Sequence, residues 1–149
     1  MSGFFAVEDD LTGRIRAAVP GVKVEAVRDT ELLDTLLKSG GGIAVGVLYR
    51  GYAPVADSGW GSYIVMRQTW WAVVVVSASS QDDAGASLRA KADAALTAIM
   101  AAVPGAEAEL GNAFQYHLAP APDMATKPGW AYIPLAFSVD INFSNGQRP

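Results

Sequence analysis

Few side chains in this 149-residue chain are suited to catalysis or metal binding. His117 is its only histidine, and cysteine is absent. A catalytic zinc site would therefore need carboxylate ligands, and the sequence has no H-E-x-x-H motif or comparable spacing. It also lacks the G-x-S-x-G turn that presents a nucleophilic serine to a histidine. We therefore expect His117 to have a structural or surface role.

Two acidic clusters could in principle hold a metal ion or supply paired catalytic carboxylates. They are Glu8-Asp9-Asp10 and Asp82-Asp83. Both lie where we predict the first turn of a helix, and negative side chains are stabilised at that positive end of the helix dipole. The pattern favours a helix-end or solvated role.

The glycine run Gly40-Gly41-Gly42 has the wrong order for phosphate binding. A phosphate-binding loop follows a strand and opens a helix, whereas this run follows a predicted helix and precedes a strand. Lys38 also comes before the glycines instead of after them. We predict a helix stop and a turn. The sequence thus provides no catalytic, cofactor-binding or metal residue, and we expect a protein that is not an enzyme.

Composition indicates one globular domain spanning residues 1–149, with a polar tail over 144–149. Hydrophobic residues make up 51% of the chain and charged residues 17%, which excludes a disordered chain. The net charge of −4 comes without a basic patch, so sequence-specific nucleic-acid binding is not expected. The longest apolar run, Trp70 to Val76, is far shorter than the roughly 18 residues of a membrane span. The N-terminus reaches acidic residues before any signal-peptide core develops, so we expect a soluble cytoplasmic protein.

Hydrophobic periodicity predicts three helices that pack on a sheet. The first helix spans Phe4 to Val19, with Ser2 as its cap and Phe4, Leu11, Ile15 and Ala18 on its buried stripe. The second is capped by Asp29 or Thr30 and buries Leu32, Leu33, Leu36 and Leu37. The third and longest opens at Ser79-Ser80, runs to about Val103 and buries Leu88, Ala92, Ala95, Leu96, Ile99 and Val103.

Five strands complete the predicted α/β (α+β) fold, in the order α-β-α-β-β-α-β-β. Alternation predicts strands at Val22–Val27 (with Val22, Val24 and Ala26 inward), Ile43–Tyr49, within Gly61–Ser79, Glu107–Leu118 and Trp130–Phe143. Gly46 indicates a bulge or a close neighbour, and Pro134 an edge position or a bulge. The segments Arg50–Ser62 and Ala119–Gly129 are predicted loops because they are rich in Gly and Pro. We expect a single mixed or mainly antiparallel sheet.

The central strand is apolar on both of its faces. Trp71, Val73 and Val75 point to one side of the sheet, and Trp70, Val74 and Val76 point to the other. Both faces therefore need cover, and three helices offer a limited amount of it. This pattern favours a protein that packs against a partner over one built around a pocket.

Aromatic residues near the two predicted loops and on the central strand supply candidate contacts for such a partner. We select Tyr52, Trp60, Tyr63, Trp71, Trp130 and Tyr132 as candidate interface residues. Trp and Tyr are enriched in interface hot spots. Core packing and loop anchoring remain an alternative role for them. A nucleic-acid stacking platform is weaker, because basic residues are not interleaved with the aromatics.

Four segments in this order resemble the Mu-type tail terminator family of contractile-tailed phages and prophages. They are PGVKVEAV after the first helix, IAVGVLY, WWAVVVVSAS and the closing WAYIPLAFSVDINF. The resemblance implies an α/β subunit of a homohexameric ring, without a cofactor, that caps the head-proximal end of the tail tube. It also implies contacts with the tube, the sheath and the head connector, and DNA passing through the lumen. The location implied is the neck of the virion, with assembly in the host cytoplasm.

Two other functions stay open. The first is a head-completion or connector protein of the neck. The second is a small α/β ligand-binding module or enzyme, against which the missing acid–base residues count.

Overall fold

A computed structural model describes residues 4–39, 41–57, 63–77, 84–107, 113–127 and 130–144. The described elements are α1 (Ala6–Ala18), β1 (Lys23–Ala26), α2 (Leu32–Ser39), β2 (Ile43–Asp57), β3 (Tyr63–Ser77), α3 (Ala84–Ala102), β4 (Ala113–Ala119), β5 (Ala125–Lys127) and β6 (Trp130–Ser144). The strands form one sheet in the order β1-β2-β3-β6-β4, and β5 pairs with β6. Strand β1 is parallel to β2, and the other pairs are antiparallel. The α+β fold with one mixed sheet, expected from the sequence, is confirmed.

The central strand β3 is apolar on both faces, as predicted, and helices cover both. Helices α1 and α3 lie on one face, which we call the α1 face; its core includes Trp70, Val74 and Val76. Helix α2 lies on the other, the α2 face, over Val73 and Val75. The eight-residue α2 covers only part of its face.

Beyond α2, the α2 face becomes polar. Arg67 and Asp140 are direct cross-strand partners there, with Arg67 Nε 2.7 Å from Asp140 Oδ1. Their hydrogen bond raises the pKa of the Arg67 guanidinium. The far end of β6 is thus partly solvated on this side, as its polar alternation indicates.

The loop predicted over Arg50–Ser62 is wrong for most of its length, because β2 continues to Asp57. The register shifts between Tyr49 and Tyr52 and again between Pro54 and Ala56. Such bulges insert unpaired residues and bend a strand without ending it. Gly51 lies within the first shift and has a φ of 102°, which glycine adopts readily. Residues 58–62, which include Trp60, lie outside the described part of the chain.

The second predicted loop, Ala119–Gly129, is also wrong in part, because it contains β5. Strands β4 and β5 both pair with the outer side of β6, so they follow one another along the same sheet edge. Pro134 lies between the β6 residues that pair with β5 and those that pair with β4. It is therefore locally at an edge, where a missing N–H is tolerated.

Several element ends and burial assignments differ from the sequence prediction. Helix α1 has Phe5 at its N-cap position without a side-chain hydrogen bond, and the predicted cap Ser2 lies outside the described residues. Val7 and Thr12 join Leu11 and Ile15 in its buried stripe, in place of Phe4 and Ala18. Ala26 and Leu32 are exposed rather than buried, and β4 begins at Ala113, leaving Glu107 as an isolated bridge to Gln115. The predicted cap of α2 is confirmed, since Asp29 Oδ1 accepts from the Glu31 N–H at 3.0 Å.

Gly46 in β2 is required by a close approach of helix α2. A Cβ atom at this position would lie 2.4 Å from Leu33 Cδ2 and 3.2 Å from Val27 Cγ2. Leu33 is buried, so it has little room to move away. Of the two roles predicted for Gly46, the structure shows the close neighbour; the bulges lie further along β2.

Replacing Gly46 with alanine should lower the free energy of unfolding by about 1–3 kcal/mol, because the added methyl group overpacks the contact with Leu33. Denaturant unfolding monitored by tryptophan fluorescence measures the change. Gly13→Ala is the matched control. It lies in an exposed position of α1 with nothing within 4 Å of its added Cβ, and it should instead stabilise by about 0.5–1 kcal/mol. Equal stability of the two variants would contradict this account of Gly46.

Candidate functional site

The structure distributes the six candidate interface residues over both faces of the sheet. Trp71, Trp130 and Tyr132 lie together on the α2 face, partly buried against its core. Tyr52 lies on the α1 face and is 59% exposed. Tyr63 pairs with Ser144 at the end of β3, and its side chain, like the whole of Trp60, is outside what the structure describes. The six therefore do not form one continuous surface.

On the α2 face, a stacked aromatic pair packs beside helix α2. The rings of Trp130 and Tyr132 are 4.1 Å apart between centroids, at an interplanar angle of 31°. The Tyr132 hydroxyl donates a hydrogen bond to Asp34 Oδ1 on α2. Partial burial is the main reason that the pKa of Tyr132 lies above its usual range, and the hydrogen bond to the Asp34 carboxylate is the second reason. The pair thus anchors α2 to the sheet, as the core-packing alternative predicts.

Trp71 completes this face and lines a small cavity. The Arg50 guanidinium carbon lies 4.2 Å from the centre of the Trp71 ring, a cation–π contact. A cavity of about 170 Å³ opens between α2 and the segment before β5; its lining includes Trp71, Leu33, Tyr132 and Pro134. Such a volume is below the range of about 300–1,000 Å³ typical of ligand sites.

On the α1 face, aromatic side chains cluster where α1 meets the sheet. The Phe4 ring lies 5.8 Å from Tyr49 and 5.9 Å from Tyr52, and the Phe5 ring lies 5.2 Å from Tyr49. Tyr49 in turn lies 5.2 Å from the buried Trp70. Burial is the main cause that raises the pKa of Tyr49, and the neighbouring Tyr52 is a smaller cause. This cluster links a fully buried ring to exposed ones.

A buried amide fixes the start of α1 beneath this cluster. Gln68 is fully buried, donates from Nε2 to the Phe4 carbonyl at 2.8 Å, and accepts at Oε1 from Trp70 Nε1 at 3.1 Å. Both polar ends of the amide are therefore satisfied, as burial requires. The sequence pattern predicts no role for Gln68 and places Phe4 on the helix stripe. The one available signal was a glutamine at an inward position of an otherwise apolar strand.

Beside the aromatic cluster lies a pocket of about 370 Å³, which we call the edge pocket. Its lining comprises Phe5, Glu8, Ala26, Val27, Arg28 and Tyr49. It sits between the start of α1 and the end of the edge strand β1. Phe5 is 53% exposed at its rim. Sequence patterns do not predict this pocket, because its residues come from three separate segments.

The three residues of the acidic cluster at the start of α1 do not share one role. Glu8 and Asp9 lie in the first turn of the helix, as predicted. Asp10 instead accepts a hydrogen bond from the buried Tyr116 hydroxyl at 2.6 Å and from Arg14 Nε at 2.9 Å. Burial, together with this bond to Asp10, raises the pKa of Tyr116. The network ties α1 to β4. Asp82 and Asp83 lie outside the described residues.

The remaining candidates for chemistry are found at the surface or in a turn. His117 is exposed on β4, opposite Ser138 on β6. Gly41 and Gly42 have φ values of 72° and 101°, which suits the predicted turn. Within the described ranges, no three His, Asp or Glu side chains are grouped so as to hold a metal ion. None of the described helices has the length and hydropathy needed to cross a membrane.

Comparisons with known proteins support the fold. A scan against protein-family models matches none, and a search of curated proteins finds no significant match. Thirteen chains of solved structures do match. One has a TM-score of 0.50 and 15% sequence identity, and the match covers 93% of this chain and 92% of the other. At that identity the likeness concerns the fold alone.

The stability of the protein should fall at alkaline pH, partly through Tyr132. Its pKa is raised in the folded state, so its stabilising contribution is complete below the unfolded value of about 10. That contribution is lost as the pH rises through the folded value, because the unfolded state ionises first. Tyr132→Phe should make the decline in melting temperature above pH 10 shallower.

Tyr52→Phe is the matched control for this measurement, because it removes a hydroxyl from an exposed ring. It should change the alkaline branch of the stability curve less than Tyr132→Phe does, because Tyr52 is only the lesser cause of the raised pKa of Tyr49. A slope in the Tyr132→Phe variant equal to that of the wild type would contradict the role given to the Tyr132–Asp34 contact.

Proposed function

We propose that this chain is a structural virion protein of a contractile-tailed phage or prophage. Its copies assemble, as a homohexamer, into a ring that caps the head-proximal end of the tail tube, ends tail growth and offers a docking surface for the head connector. Tube, sheath and connector proteins are its partners, and DNA passes through the lumen without sequence-specific contacts. The protein acts in the neck of the virion, not as an enzyme.

The observation that carries this proposal is the distribution of exposed apolar side chains. Large hydrophobic residues are exposed on or at the start of the three helices, on the long strands β2 and β3 and at the β4–β5 edge: Phe5, Leu32, Met100, Tyr52, Val55, Ile64, Leu118 and Met124. A ring subunit needs two different complementary surfaces, one for each neighbour, and further surfaces for the tube and the connector. Exposed apolar side chains on several sides of the subunit are suited to a protein whose neighbours cover it on several sides.

Further support comes from the resemblance of the four sequence segments to tail terminators. The structure has the element order expected from the sequence, with β5 added between β4 and β6. The net charge of −4 suits a lumen through which DNA must slide, because like charges repel.

Deletion of the gene from its parent phage tests the proposal directly. We expect tails of abnormal length without attached heads in electron micrographs, and a supplied copy of the gene should restore normal particles. Normal-length tails joined to heads in the deletion strain would overturn the proposal. Tails of normal length that merely fail to join heads would instead favour the neck-protein alternative.

A point substitution separates assembly from folding. Tyr52→Thr should abolish or strongly reduce complementation, because it removes an exposed aromatic contact. Its free energy of unfolding should fall by no more than about 1.5 kcal/mol, because the substitution also removes the edge-to-face contact with the Phe4 ring. Tyr52→Phe, which keeps the ring, is the control and should complement fully. Full complementation by Tyr52→Thr would exclude Tyr52 from the assembly surface.

A further inference from the structure

The edge pocket is lined by two opposite charges as well as by aromatic rings. Glu8, in the first turn of α1, and Arg28, which follows β1, both belong to its lining. Glu8 is half-buried and Arg28 is exposed. Neither forms an ion pair within the part of the chain that the structure describes, so the two charges do not neutralise each other. The pocket therefore offers both an anionic and a cationic group.

Several charged side chains on the same two elements do have partners. On α1, Arg14 Nε lies 2.9 Å from Asp10 Oδ2. On β1, Lys23 Nζ lies 3.7 Å from Glu25 Oε1. The two charges of the edge pocket differ from these pairs, because each faces the pocket without an ionic partner among the described residues. They are therefore suited to recognise charged groups of a ligand.

The rest of the pocket lining is apolar and includes two rings at right angles. The centroids of the Phe5 and Tyr49 rings are 5.2 Å apart, and the ring planes meet at 89°. Ala26 and Val27 add aliphatic surface. Because Phe5 is 53% exposed, an apolar group that covers its ring would remove apolar surface from water. This part of the pocket is suited to an apolar ligand group that packs against both rings.

Size and position also favour a small ligand. The volume of about 370 Å³ lies at the lower end of the range of about 300–1,000 Å³ that is typical of ligand pockets. Residues Ala26, Val27 and Arg28 place the pocket at the carboxyl end of β1, which is parallel to β2. Ligands of sheets with parallel strands bind in the crevice outside that end of the strands.

We propose that the edge pocket binds a free α-amino acid with an apolar side chain. The Arg28 guanidinium donates to the ligand carboxylate, because its planar group of N–H donors matches a carboxylate. The Glu8 carboxylate accepts from the ligand ammonium group. The ligand side chain packs against Phe5 and Tyr49. This inference goes beyond the proposed assembly function and does not rest on it.

Calorimetric titration of the full chain with L-phenylalanine and its analogues tests the ligand class. The analogue 2-phenylethylamine lacks the carboxylate, and 3-phenylpropionate lacks the ammonium group. Each should bind at least about threefold more weakly than L-phenylalanine, because one charge of the pocket then has no counterpart. N-acetyl-L-phenylalanine amide, which lacks both charges as the interior of a peptide does, should bind more weakly still. Glycine, which keeps both charges but has no side chain, should also bind more weakly.

Two variants assign each ligand charge to its partner in the pocket. Arg28→Gln should weaken the binding of L-phenylalanine and 3-phenylpropionate but leave that of 2-phenylethylamine unchanged. Glu8→Gln should weaken the binding of L-phenylalanine and 2-phenylethylamine but leave that of 3-phenylpropionate unchanged. The matched controls are Lys38→Gln on α2 and Asp9→Asn on α1, which remove the same charges from exposed residues outside the pocket lining. Both controls should bind L-phenylalanine like the wild type.

Backbone amide shifts in NMR spectra locate the bound ligand. Addition of L-phenylalanine should shift the amide signals of Ala26, Val27, Arg28 and Tyr49 most, and shifts centred elsewhere would overturn the site. No binding at about 10 mM, a concentration that largely fills even a millimolar site, would also overturn it. So would equal affinity for the doubly blocked amide, or pocket variants that bind like their controls. These measurements use the purified protein, so their outcome is independent of the phenotype of the deletion phage.

Discussion

The burial of β3 on both of its faces is the constraint on which the rest of the structure depends. Its Trp70–Val76 segment is apolar at every position, so water must be excluded from both sides of the sheet. Strands β2 and β6 flank it along its length and satisfy its backbone groups. Helices α1 and α3 then cover one face and α2 the other. The layered arrangement follows from this one strand.

Polar contacts then fix how the helices lie on the sheet. Gln68 joins the start of α1 to β3, Asp10 joins α1 to Tyr116 on β4, and Asp34 joins α2 to Tyr132 on β6. Apolar packing is largely non-directional, whereas hydrogen bonds require a particular distance and angle. These three links therefore specify the helix positions, and through them the shape of the edge pocket and of the α2-face cavity.

A sheet arranged in this way presents unlike edges. The β1 edge ends beside the start of α1 and leaves a concave, aromatic surface, whereas the β4–β5 edge projects apolar side chains. At both edges, part of the backbone is already hydrogen-bonded within the chain.

The sequence by itself determined the fold class, the helices, a cap at Asp29 or Thr30 and the apolar character of both faces of β3, because periodicity and capping are local signals. It missed the length of β2 and the presence of β5, because bulges and edge pairing let strands continue through residues that usually break them. The sequence also places Tyr52 and Trp71 close together along the chain, although the two side chains lie on opposite faces of the sheet. Only the tertiary structure brought Phe5, Arg28 and Tyr49 together in one pocket, because pairing β1 with β2 places distant segments side by side.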